Sequence, residues 1–231
     1  MPSIAYSDDK VNVGYVELTK VLDSVHTSSP YNQLMATLFS RIETETNAKI
    51  NTLYIPSGRL NVLLQNGSVD CIFPVVPNGY DRKMATIFSD GTNNVASFHF
   101  YLQNKKKAPL EQGEKEVIVY NRTSYFGKLF EQPHDVKYIA VDSQQIAINL
   151  LRKGRADGYL AYYPDIKVSL SEQDFQQLIF DKAKPVTESI DKMECADTEK
   201  SQNFLIKFNA ELRKMKNSGE IKHILGDYYN L

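Results

Sequence analysis

"LLQNGSVDCIF" (63–73) has a second version in the same chain, "LLRKGRADGYL" (150–160), with Leu-Leu, Gly and Asp at matching offsets. In each, an apolar helical end (Leu63, Leu64; Leu150, Leu151) runs into a glycine, and three residues past the glycine an aspartate opens an apolar run. That order spells a helix stopped by a left-handed glycine and followed by a short buried strand. Such junctions are common in α/β domains, so the weight of the repeat rests on what surrounds each copy.

The surroundings repeat too. "VNVGYVEL" (11–18) alternates as a strand, and "YNQLMATLFSRIETETNA" sets Leu34, Leu38 and Ile42 on one helical face. "KINTLYI" (49–55) is a second strand, "SGRLNVLLQNG" a helix that Ser57 is placed to cap, and "VDCIFPVV" a third strand. After a strand-like run, "ASFHFYLQNKKK" (96–107), the pattern restarts. "EVIVYN" (116–121) is a strand, "TSYFGKLFEQ" a short helix, "VKYIAVD" a strand, "SQQIAINLLRKG" a helix capped by Ser143 with Ile146 and Leu150 stacked, and "ADGYLAYYP" a strand. Two β-α-β-α-β blocks predict two open, mostly parallel sheets flanked by helices.

The tail returns. "LIFDKAKPVTESIDKMECADTE" (178–199) holds two extended runs, and "QNFLIKFNAELRKMKNSG" lays Phe204, Phe208, Leu212 and Met215 along one face. A stripe this apolar needs a groove, and the first lobe supplies one. The expected division is therefore 1–102 for the first lobe, 103–186 for the second, and 187–231 for the part that comes back. Two crossings between lobes make a hinge.

Composition narrows the function. With 231 residues, 42% hydrophobic and 24% charged, the chain is an ordinary globular protein. A net charge of −1 gives no general reason to seek nucleic acid or an anionic membrane, and Lys105, Lys106 and Lys107 read as a solvated loop. No run approaches the roughly 20 apolar residues of a membrane span. The start, "MPSIAYSDDKVNVGY", lacks the basic and apolar segments of a secretory signal, which fits a cytoplasmic chain or a mature form with an added first residue. Cys71 and Cys195 are far apart in sequence, and whether they pair stays open. His26, His99, His134 and His223 lack ligand spacing, and there is no GxSxG, P-loop or GxGxxG, so neither a metal, a cofactor nor catalysis is expected.

The order of these segments resembles the family 3 extracellular solute-binding proteins of bacteria, which include the periplasmic amino-acid-binding components of ABC transporters. The likeness covers nearly the whole chain: "LLQNGSVDCIF" with "DRKMATIFSD", "LLRKGRADGYL", and the closing "FNAELRKMKNSGEIKHILGDYY". It implies a two-lobed type II periplasmic-binding fold with two hinge crossovers, closing on a small ligand. It also implies an extracytoplasmic location after signal-peptide removal and an ABC permease as partner; a monomer is the default expectation, and the charge balance points to no nucleic acid.

Site residues follow from the same resemblance. In "YDRKMATIFSD" (80–90), Arg82 stands where the family grips a ligand carboxylate ahead of a Phe-Ser pair, here Phe88 and Ser89. A guanidinium suits that task because its planar fork meets a carboxylate bidentately. Thr123 and Ser124 match the second-lobe donors to the carboxylate, at the start of an expected helix. The amine end departs from the pattern. Pro74, Val75 and Pro77 replace small hydroxyl residues, and the position of the ammonium-pairing aspartate falls on Tyr162, with Asp165 three residues away. A standard α-amino acid is therefore not the implied ligand. With fourteen tyrosines and no tryptophan, Tyr15, Tyr80 and Tyr162 are candidates for an aromatic lining, and Glu17 for a cationic group. Two alternatives are a sensory or interaction module with a degenerate pocket, and an enzyme like the cyclohexadienyl dehydratases, for which Asp165 and Glu172 would be the acids.

Overall fold

The computed structural model describes residues 10–16, 29–46, 48–77, 83–103, 113–131 and 135–229. They form two compact units. Among the described residues, the first unit runs up to Asn93 and resumes over Ile190–Tyr229, and the second is Asn94–Ser189.

The first unit holds β1 (Lys10–Val16), α1 (Pro30–Thr46), β2 (Lys49–Ile55), α2 (Ser57–Gln65), β3 (Cys71–Val75) and β4 (Thr86–Phe88). The chain leaves it near the start of β5 (Asn93–Leu102) and re-enters within β10 (Thr187–Ala196). Its strands lie in the order β2, β1, β3, β10, with β4 also paired to β10. β1 is parallel to β2 and β3, and β10 is antiparallel.

Helix α6 (Glu199–Asn217) follows, then α7 (Glu220–Leu225) after Gly219, whose φ is +77°. Phe204, Phe208, Leu212 and Met215 are buried together with Leu34, Leu38 and Ile42 of α1. At this core's centre Cys71 and Cys195, opposite each other on β3 and β10, form a disulfide across 124 residues of sequence.

The second unit holds β6 (Glu116–Asn121), β7 (Val136–Val141), α3 (Gln144–Arg152), β8 (Gly158–Tyr162), α4 (Tyr163–Ser169), α5 (Glu172–Phe175) and β9 (Leu178–Ile179). Its strands lie in the order β5, β8, β6, β7, with β9 paired to β5. β6 is parallel to β7 and β8, and β5 is antiparallel to β8.

The repeated junction is the same object in both units. Gly67 and Gly154 take φ of +73° and +70°. Gly67 and Ser68 donate to the Leu64 and Leu63 carbonyls, as Gly154 and Arg155 donate to Leu151 and Leu150. These are the paired bonds that satisfy carbonyls at a helix end with a left-handed glycine. Asp157 then holds β6: its N–H donates to the Val117 carbonyl and its Oδ2 accepts from the Val117 N–H.

Several local expectations need correction. The expected helix over 123–132 does not form over its described residues, 123–131; 122–128 are irregular, followed by a single 3-10 turn, Leu129–Glu131. Gly127 sits at φ +61°, and Phe126 stacks on Tyr162 and Phe130 on Tyr120, which consumes the i, i+4 apolar pair in a loop. Helix α2 has Pro56, not Ser57, at its N-cap. In α3 the buried residues are Ala147, Ile148 and Leu151, while Ile146 faces solvent. Helix α4 was not foreseen, because Pro164 reads as a breaker although proline is tolerated in a first helical turn.

Candidate functional site

Open α/β sheets present ligand-binding groups beyond the carboxyl ends of their strands. In the first unit that edge carries Tyr15, near the end of β1, and Pro77, two residues past β3. Tyr15 is buried, with its ring 5.9 Å from Tyr54 and 5.6 Å from Phe73. Its hydroxyl has no hydrogen-bond partner among the described residues. Burial chiefly, then the charges of Tyr54 and Asp191, holds this phenol un-ionised. Pro77 is partly exposed. Glu17, Tyr80 and Arg82 lie outside the described residues.

Ser89, from the Phe-Ser pair, has a structural task. Its hydroxyl accepts from the Met193 N–H at 2.9 Å and donates to the Asp90 carbonyl at 2.7 Å. Beside it lies a buried polar group that the sequence did not suggest. The Tyr31 hydroxyl donates to Asp191 at 3.0 Å, and the Asn93 amide donates to the Tyr31 oxygen at 2.9 Å and to the Tyr228 carbonyl at 2.6 Å. These residues fix the chain where it leaves and re-enters the first unit. Tyrosine, asparagine and aspartate so far apart in sequence carry no local signal of this.

In the second unit the carboxyl edge brings Thr123, Ser124 and Tyr162 together. The Tyr162 hydroxyl donates to the Tyr125 carbonyl at 2.8 Å, and its ring stacks on Phe126 at 5.2 Å and 14°. Thr123 turns both its N–H and its hydroxyl to Asn121 Oδ1, at 3.1 and 3.0 Å. With no helix beginning here, no macrodipole supports an anion at Thr123 and Ser124. Asp165 stands apart, in the first turn of α4 and close enough to Tyr159 for its charge to raise that phenol. Tyr159 and Tyr162 point to opposite faces of β8, so Asp165 and Tyr162 flank different sides of the strand. Burial pushes the Asp165 carboxyl up to about 7, although part of the residue still meets solvent.

The sequence reading also missed a polar cluster on one face of the second sheet. His99 bonds Tyr138 at 3.1 Å, and Tyr101 lies against Glu116, its phenol raised by burial first and by that carboxylate second. The signal was the alternation of His99 and Tyr101 along β5, which puts both on one face. Among the described residues no group of three or more His, Cys, Asp or Glu is placed to hold a metal ion.

No protein-family model matches the sequence, and no curated protein matches it either. Solved structures do. The substrate-binding protein of an amino acid ABC transporter superposes with a TM-score of 0.71 at 15% identity, covering 95% of this chain and 99% of its own. The fold is that of a type II periplasmic binding protein. A putative L-cystine ABC transporter protein from Listeria monocytogenes gives 0.70 at 16% identity, covering 96% of this chain and 98% of its own. A histidine kinase sensor domain described as similar to periplasmic binding proteins gives 0.67 at 14% identity, with 95% of each chain covered. At these identities the likeness establishes the fold.

Proposed function

We propose that the chain is a non-enzymatic solute-binding protein that closes its two units on a small, carboxylate-bearing ligand and delivers it to an ABC importer outside the cytoplasm. The observation that carries this reading is that substrate-binding proteins of amino-acid transporters match the chain over nearly its whole length. The chain path supports it. On the first unit's side, Thr92 N–H donates to the Asp191 carbonyl; on the second unit's side, Ser97 is bonded to Val186 and Thr187. Between these two sets of bonds, Asn94–Ala96 and Glu188–Ser189 are the segments placed to act as pivots. A buried disulfide suits an oxidising compartment, and among the described residues no helix is long and apolar enough to cross a membrane.

In this reading Arg82 grips the carboxylate, Thr123 and Ser124 meet it from the second unit, and Tyr15, Glu17, Pro77, Tyr80, Tyr162 and Asp165 complete the lining. The protein acts as a monomer. Because Thr123 commits its donors to Asn121, its part in ligand binding requires those bonds to exchange. Native mass spectrometry with amino acids, guanidino and aromatic acids, polyamines and dicarboxylates is expected to give a 1:1 complex with one ligand class. Free protein throughout would refute the reading.

A second reading is favoured by the match to a histidine kinase sensor domain. There the same clamp reports ligand occupancy to a receptor. Copurification with a kinase or receptor in place of a permease would select it.

A further inference from the structure

A groove of about 560 Å³ runs along the first unit between the solvent side of α1 and Tyr54 of β2, lined among others by Asn32, Gln33, Ser40 and Arg41. Its chemistry is neutral. Arg41 is already spent on Glu211 at 3.1 Å and Glu220 at 2.5 Å. The amides of Asn32 and Gln33 and the hydroxyl of Ser40 offer donors and acceptors without charge. Tyr54 is 60% exposed, an aromatic ring standing open at the groove wall. Because α1 runs back against the parallel strands, this end of the groove lies at the carboxyl ends of β1 and β2, where Tyr15 and Tyr54 are register partners.

A second observation lies just inside that wall. The Tyr15 ring meets Tyr54 edge-on, and the Tyr15 hydroxyl is buried yet has no hydrogen-bond partner among the described residues. Such groups are rare, because buried polar atoms are nearly always satisfied by protein or water. The hydroxyl lies within electrostatic reach of both Tyr54, on the groove side, and Asp191, on the core side. A ligand arm that passes Tyr54 would find there a hydroxyl ready to donate or accept.

We infer that this groove binds a neutral saccharide. The apolar face of a sugar ring rests on Tyr54, its hydroxyls bond Asn32, Gln33 and Ser40, and one hydroxyl reaches past the edge of the Tyr54 ring toward Tyr15. Few polar groups around one aromatic platform is the composition of a small-ligand site. Among the described residues that line the groove, a charged ligand finds no free countercharge. The groove uses neither Arg82 nor any residue of the second unit; it shares only Tyr15 with the solute site proposed above, so Arg82→Ala separates the two.

The test is amide-resolved NMR of the full chain titrated with glucose and N-acetylglucosamine, with arginine and glutamate as charged controls. Saccharide-dependent shifts are expected at residues 32–41 and at Tyr54. They should vanish in Tyr54→Ala, whose exposed position leaves the fold intact, weaken several-fold in Tyr15→Phe, and persist in Arg82→Ala. No shift at the groove with either sugar, shifts that survive Tyr54→Ala, or a groove response to the charged controls instead would overturn the inference.

Discussion

Asp70 holds Asn12 by two bonds, its N–H donating to the Asn12 carbonyl at 2.8 Å and its Oδ2 accepting from the Asn12 N–H at 2.8 Å. Asp157 does the same to Val117, at 2.8 and 2.8 Å. The repeated Gly-x-x-Asp thus places a carboxylate at the foot of the parallel pair in each unit. Asp70→Ala and Asp157→Ala should each cost about 1.5–3 kcal/mol, the worth of a hydrogen bond to a charged group. The asparagine variants should lose less, because the amide oxygen still accepts. Urea unfolding of the four variants measures this. Asp70→Ala should be the more damaging, since Lys200 also pairs with Asp70 at 2.5 Å.

The disulfide ties the returning strand β10 to β3 within one core, and both sulfurs are buried. Cys195→Ser is expected to lower stability by about 2–5 kcal/mol, in line with removing a native bridge that closes a long loop. Differential scanning calorimetry with and without reductant should show the same loss in the parent only after it has been unfolded in reductant.

The helices α1 and α6 were legible because their apolar residues recur at helical spacing and nothing competes for them: the foreseen stripes are the buried ones. The pairing of Cys71 with Cys195 was not legible, since it depends on β10 coming to lie beside β3. The segment 123–132 misled because Phe126 and Phe130 stand at helical spacing while their partners, Tyr162 and Tyr120, are on distant strands. Burial of Tyr15 shows the same limit. Alternation places it on a face of β1, but only packing decides that the face is core. For the candidate site, the sequence located Tyr162 at the second unit's carboxyl edge, yet it could not tell that its hydroxyl is occupied by Tyr125.

That loop makes its own prediction. Gly127→Ala meets open space but puts a side chain at φ +61°, costing about 1–2 kcal/mol through the backbone alone. Tyr162→Phe keeps the ring stack and loses the bond to Tyr125, worth about 1 kcal/mol. Thermal unfolding of both variants checks the order of these losses, with Gly127→Ala at least as large.

Asp165 should impose a pH slope on stability. Its carboxyl is raised by burial from 3.8 to about 7, so between those values the folded state retains a proton that the unfolded state has released. Stability therefore falls as pH rises through this window and levels off above it. At about 1.4 kcal/mol per unit the effect is a few kcal/mol at most. Asp165→Asn should flatten the slope and be the more stable protein at pH 8. Equal slopes for parent and variant in chemical denaturation would contradict the burial of this carboxyl.

The most direct test of the solute-binding account is thermal unfolding of the parent and of Arg82→Ala against amino, guanidino and aromatic acids, polyamines and dicarboxylates. A ligand at about 100 times its Kd adds roughly 2.7 kcal/mol, a rise of several degrees for a chain of this size. The account predicts such a rise for one class of carboxylate-bearing ligand in the parent and none in Arg82→Ala. An unchanged midpoint across the whole panel, or a rise that survives the loss of Arg82, would contradict it.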